Sequence, residues 1–248
     1  MNIVLCATQR CGSTMIVEDM RNTGVLGRPE EWFVPWDPKK ENVNWSNAFA
    51  SVVKRSTGDN GISSVKVMAN QLYNIDSCLK SFTSPLDDGE YPCFAKVFEF
   101  SNWVWLKRTD VVSQAISRIM ARQTGVNHAT QRVDDEHFAG NLLKGYDPNY
   151  NEKAQYRYGA ILKEVTSITL ENLTWNRFFE SHGISPTVLT YEDTVRDAEM
   201  SHLDLLARMV GLSERPERKS RNMVKVGNDK NKRWRERFYN DVASRSFA

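Results

Sequence analysis

The stretch NIVLCATQRCGSTMIVEDMRNTG, residues 2–24, decides the fold. Asn2 to Thr8 is a short run rich in Ile, Val and Leu, which reads as a buried strand. Gln9 to Ser13 reads as a turn containing a glycine, and Thr14 to Thr23 as a helix that Gly24 stops. Strand, glycine-containing loop and helix in this order open a nucleotide-binding α/β fold.

The loop has the chemistry of an anion site. A turn between strand and helix aims backbone N–H groups at one point, and the helix dipole adds positive potential there. Gly12 permits tight curvature, Arg10 adds a permanent forked charge, and Ser13 and Thr14 offer hydroxyl donors that could also cap the helix. The loop differs from the NTPase motif GxxxxGK[ST], because no Lys precedes Ser13, and GxGxxG is absent. An ordinary capped strand-to-helix turn remains the alternative to an anion nest.

Further strands are expected at Ile62 to Met68, Trp103 to Lys107 and Thr187 to Tyr191. Helices are expected at Asn70 to Phe82, Val111 to Arg122, His202 to Val210 and Lys232 to Val242. Asn151 to Ser181 reads as one long helix or two with a break, and Leu212 to Asn231 as a loop. Alternating strands and helices predict an α/β fold, a P-loop-like parallel sheet flanked by helices, in a single domain over residues 1–248. Ligands of such sheets bind beyond the carboxyl ends of the strands. Arg108 stands at such an end, and Ser113 and Ser117 share one face of the following helix. Two anion anchors at strand ends predict a ligand with two separate anionic groups.

Bulk composition narrows the class. Of 248 residues, 40% are hydrophobic and 26% charged, an ordinary balance for a water-exposed globular chain. No apolar run approaches the roughly 20 residues of a membrane span. Met1 to Thr8 lacks a basic flank and reads as a first strand rather than a signal peptide, so a cytoplasmic location is expected. Cys6, Cys11, Cys78 and Cys93 form no CxxC pair, which predicts buried or free thiols and no metal. Net charge is +2, yet Ser213 to Ala248 alone carries 11 Lys and Arg against 5 Asp and Glu. That tail is either a solvated charged surface or a surface for an anion.

Several blocks carry a family resemblance: LCATQRCGSTMIVEDMRNTGVLGRPEEWF (5–33), VKVMANQ (65–71), RTDVVSQAISRIMARQTG (108–125), TYEDTVRD (190–197) and WRERFYND (234–241). Together they resemble the bacterial carbohydrate sulfotransferases that use 3′-phosphoadenosine 5′-phosphosulfate (PAPS), in particular the trehalose 2-sulfotransferase family. The resemblance implies that Arg10, Cys11, Gly12, Ser13 and Thr14 hold the 5′-phosphosulfate. It gives the 3′-phosphate to Arg108, helped by Ser113 or Ser117. It makes Glu31 the general base, and places Gln9 and the stretch Arg28, Pro29, Glu30, Glu31, Trp32, Phe33 and Val34 along the acceptor site. Arg28 stands where the family has an acid, which points to a different, anionic acceptor. Sugars, glycolipids and small metabolites all remain open as acceptors. A homodimer is also implied; the sequence itself, with no Asp cluster and no nucleic-acid module, leads to the expectation of no metal and no nucleic acid.

Sulfuryl carries less negative charge than phosphoryl, so catalysis needs in-line alignment and hydrogen-bond donors more than a metal. A sugar hydroxyl must lose its proton as it attacks, and Glu31, beside Trp32 and Phe33, is the candidate acceptor of that proton. His128, His137, His182 and His202 are weaker candidates. The loop Lys225 to Lys230 could close over the 3′-phosphate. The rival functions are a P-loop-type kinase using ATP, which would need a loop Lys and an acidic Mg²⁺ ligand, and a non-catalytic protein binding anions or nucleic acid.

Overall fold

The computed structural model describes residues 2–132 and 142–246. His137 lies outside the described residues. The chain divides into two compact units, Met1–Lys107 with Glu171–Lys219, and Arg108–Leu170 with Ser220–Ala248.

The first unit is built on a parallel sheet of β1 (Asn2–Ala7), β2 (Ser63–Met68), β3 (Ser101–Lys107) and β6 (Thr187–Thr190), in the order β2-β1-β3-β6. β1 is central and alternates sides. Val4 and Cys6 enter one core, with Val65, Val67, Trp103, Trp105, Trp175 and Phe178. Ile3, Leu5 and Ala7 enter the other, with Ile16, Val17 and Met20 of α1 (Ser13–Asn22). Burial on both faces explains why the strand reads as a continuous apolar run. Trp175 is fully buried, and its indole N–H donates to the carbonyl of Ala7 at 2.9 Å. That bond ties down the last residue of β1, directly before the anion loop.

Around this sheet lie α2 (Trp45–Ser56), α3 (Leu72–Leu79), α4 (Pro92–Val97), α7 (Tyr191–Arg196) and α8 (Ser201–Met209). The helix expected from Asn70 to Phe82 is shorter. A 3-10 turn, Ala69–Gln71, precedes α3, and the Gln71 side chain accepts the N–H of Met68 at 3.0 Å. α2 was not expected. Asn44 caps it by accepting from the N–H of Asn47, but only Val52 and Ser56 are buried, so its apolar stripe is faint.

In the second unit, α5 (Val111–Thr124) and α9 (Asp229–Ser246) pack around Ile116, Met120, Trp234 and Phe238. The long helix α6 (Tyr158–Ser181) is continuous, with Ile161 and Ile168 in this same core. A small sheet, β4 (His128–Thr130), β5 (Leu142–Lys144) and β7 (Met223–Val224), runs in the order β5-β4-β7. β7 and the start of α9 occupy part of the segment expected to be a loop. Among the described residues no helix is long and apolar enough to cross a membrane.

Candidate functional site

The loop after β1 is conformationally unusual. Arg10 has a φ of 67° and Gly12 a φ of 95°, both left-handed. For Arg10, which has a Cβ, this conformation costs of order 1–3 kcal/mol, and such outliers concentrate at functional sites. Gly12 is the N-cap residue of α1 and brings no side chain of its own to cap the helix. Ser13 and Thr14 are its first two residues, one position too late for the capping role considered above. The N-terminal turn of a helix carries a partial positive charge. A Cβ at residue 12 would overlap the ring of Tyr191, so the backbone approach here is close as well as left-handed. Turns of this geometry at a helix N-terminus are suited to anions. Cys11 is fully buried, and burial pushes its thiol pKa up despite opposing hydrogen bonds from Thr8 and Ser13.

Glu31 is held by two side chains, and its neighbour Glu30 by the backbone of β2. Glu30 bridges β2 at Val65, and the N–H of Lys66 donates to the carbonyl of Glu30 at 3.0 Å, so residues 30 and 31 lie along the outer edge of β2. The Lys66 ammonium, whose side chain is 4% exposed, stands 3.0 Å from Glu31 Oε1. Gln71 Nε2 donates to Glu31 Oε2 at 3.1 Å. The Glu31 side chain is 29% exposed and so remains reachable by an acceptor. Removing one member of a buried ion pair costs about 3–5 kcal/mol, and less where, as at Glu31, one partner reaches water. Neither Lys66 nor Gln71 was singled out in the sequence. The signal was present, since Lys66 is a charge inside the otherwise uncharged strand SSVKVM.

The neighbouring residues divide between surface and core. Glu30 pairs with Arg21 at 3.0 Å, and burial raises its pKa while Lys66 and Arg21 pull the other way. Gln9 and Arg28 are exposed, and Arg28 pairs with Asp59 at 3.1 Å. Pro29 is buried and Val34 exposed. The Trp32 indole N–H donates to the carbonyl of Arg28, and the Arg55 guanidinium lies 4.1 Å from its ring centroid. Phe33 is 1% exposed and packs edge-on against Trp36 and Phe98, so its faces serve the core.

Arg108 and α5 belong to the second unit. Arg108 follows the last residue of β3 in the chain and is partly buried. Asp110 caps α5: it accepts the N–H of Ser113 and the Ser113 hydroxyl, both at 2.8 Å, and Arg235 at 2.9 Å. The Ser113 proton is therefore directed at Asp110. Ser117 sits one turn further along α5. In the loop thought able to cover the 3′-phosphate, Lys230 is committed elsewhere, donating to the carbonyls of Asn151 and Glu152 at 2.9 and 2.6 Å.

Two of the histidines are held by carboxylates. His182 lies between Asp87, at 2.9 Å, and the carbonyl of Glu90, at 2.7 Å. His202 is buried against Asp19 at 3.0 Å. His128 opens β4 in the second unit. Among the described residues no group of three or more His, Cys, Asp or Glu is placed to hold a metal ion.

Comparison with known proteins gives three kinds of match. A family model described as Stf0 sulphotransferase matches residues 2–241. A trehalose 2-sulfotransferase of Mycobacterium tuberculosis (strain Erdman) is 27% identical over 219 residues, 76% of either chain. One of Mycolicibacterium smegmatis is 24% identical over 218 residues, again 76% of either chain. Among solved structures, a sulfotransferase from Alicyclobacillus acidocaldarius is similar over 98% of this chain and 92% of its own, at 11% identity and a TM-score of 0.49.

Proposed function

The chain belongs to the Stf0 sulphotransferase family, and from that premise we propose that it transfers a sulfuryl group from PAPS to a hydroxyl of a carbohydrate or glycolipid acceptor, with Glu31 as general base. The observation that carries this reading is the pairing, in one unit, of a left-handed loop at the start of α1 with a carboxylate fixed at the edge of β2.

PAPS, when bound, supplies the sulfuryl group and leaves as adenosine 3′,5′-bisphosphate. Arg10 and the backbone of Cys11 to Thr14 would hold its 5′ end, and their donors would stabilise the charge that builds on the departing phosphate oxygen. Arg108, with a serine of α5, would hold the 3′-phosphate; Ser113 could do so only by turning its hydroxyl from Asp110. Glu31 would take the proton of the attacking hydroxyl as the new oxygen–sulfur bond forms. Gln9, Arg28 and Trp32 would line the acceptor side, and trehalose is the first acceptor to try because both curated relatives are trehalose 2-sulfotransferases.

Labelled PAPS offered with trehalose, glucose, maltose and a glycolipid, read by mass spectrometry for one added sulfate, tests the reaction. Glu31→Gln keeps an oxygen for Lys66 and should bind the bisphosphate normally, but slow transfer roughly 10²-fold. No sulfate on any acceptor counts against the reaction. Full turnover by Glu31→Gln counts against the base.

A further inference from the structure

We propose that Lys66 and Gln71 are positioning residues which set the orientation of the Glu31 carboxylate for proton removal from the acceptor. The inference rests on Glu31 being the base.

Lys66 is an expensive residue where it stands. β2 sends Val65 and Val67 into one apolar core and Met68 into the other, and Lys66 is buried between them at 3% exposure. A buried ammonium is tolerated only with a charge partner, and an apolar residue of similar volume is often no less stable than such a pair. Stability alone therefore does not account for a lysine here. Its chain pairs with Leu5 of β1, two residues before that strand ends, and its charge is felt at Cys11 in the anion loop as well as at Glu30. Glu30 has its own partner in Arg21, so Lys66 is left to Glu31.

Gln71 completes the clamp. Its Oε1 accepts the Met68 N–H, which fixes which way round the amide stands and turns Nε2 to Glu31 Oε2. Lys66 meets the other oxygen. Two donors on two different oxygens fix both the plane and the rotation of the carboxylate. Each oxygen of an ionised carboxylate has two acceptor directions, so each keeps one for an incoming proton. Misplacing a reacting group by about 1 Å can cost ~10²-fold in rate, which is what the clamp prevents.

A double-mutant cycle over Glu31→Gln and Lys66→Met tests this, using labelled PAPS and whichever carbohydrate of the panel wild type sulfates fastest. Lys66→Met should lower kcat by ~10-fold or more, a loss of the size expected for a displaced base. Its KM for PAPS and its thermal shift with adenosine 3′,5′-bisphosphate should stay unchanged. The double variant should be no slower than Glu31→Gln alone, because a residue acting only through Glu31 has nothing left to orient. Thermal midpoints of the four unliganded proteins give a readout apart from activity: the double variant should lose less than the sum of the singles. Gln71→Ala, in place of Lys66→Met, provides the same cycle should the buried substitution prevent folding. An inactive Glu31→Gln beside a fully active Lys66→Met, or multiplicative losses in the double variant, overturns this inference alone. A fully active Glu31→Gln, or no sulfated acceptor, overturns the base or the reaction, and this inference with it.

Discussion

The ring of Tyr191, the first residue of α7, occupies the space in which a side chain at Gly12 would begin. Two residues 179 positions apart thus fix one turn of backbone, the turn that starts α1. Gly12→Ala would meet two separate penalties, a left-handed φ of 95° and overlap with the ring. The expected loss is about 1–3 kcal/mol from the conformation alone. Tyr191→Ala placed in the Gly12→Ala background should recover the overlap and leave the conformational part. Thermal unfolding of the two variants checks this, and a Gly12→Ala protein as stable as wild type would refute it.

Adenosine 3′,5′-bisphosphate should raise the thermal midpoint, because a ligand that binds only the folded chain stabilises it by about 2.7 kcal/mol at 100 times its Kd. Arg10→Ala and Arg108→Ala should each abolish most of that shift, and the loss should be greater at low salt where phosphate contacts count most. Differential scanning fluorimetry with and without the bisphosphate reads it. Retention of the full shift in both variants would remove both arginines from the nucleotide site.

All four cysteines are free and buried, as their sequence context had led us to expect. Burial pushes the thiol pKa of Cys6, Cys11 and Cys93 up, and that of Cys78 up to about 11. The thiolate is the reactive form, so at pH 8 these thiols stay protonated and slow to react. Iodoacetamide at pH 8 should leave the folded protein's mass unchanged and add four groups after unfolding in guanidinium. Rapid alkylation of Cys11 in the folded state would mean that the loop opens.

The opening of the chain was legible because its signals are local. Ile3 to Ala7 is apolar throughout, Gly12 breaks the pattern, and Gly24 follows the helix. The strands beginning near Ile62, Trp103 and Thr187 were also readable, because each has β-branched or aromatic residues at its centre between polar turns. α2 escaped because it buries one narrow strip, and β7 because two residues carry no period. The helix after Met68 was overextended because Gln71, helical by propensity, spends its side chain on the Met68 N–H and Glu31 instead.

Residue order along the chain was enough to determine a strand–loop–helix start, an α/β class and the candidate Arg10, while the family resemblance supplied the candidate Glu31. Tertiary structure alone decided what surrounds them: Tyr191 over Gly12, Trp175 on Ala7, Lys66 and Gln71 on Glu31. The reason is physical. Propensity and periodicity act over one or two turns of chain, whereas a buried charge finds its partner wherever the sheet brings one, here 35 residues away.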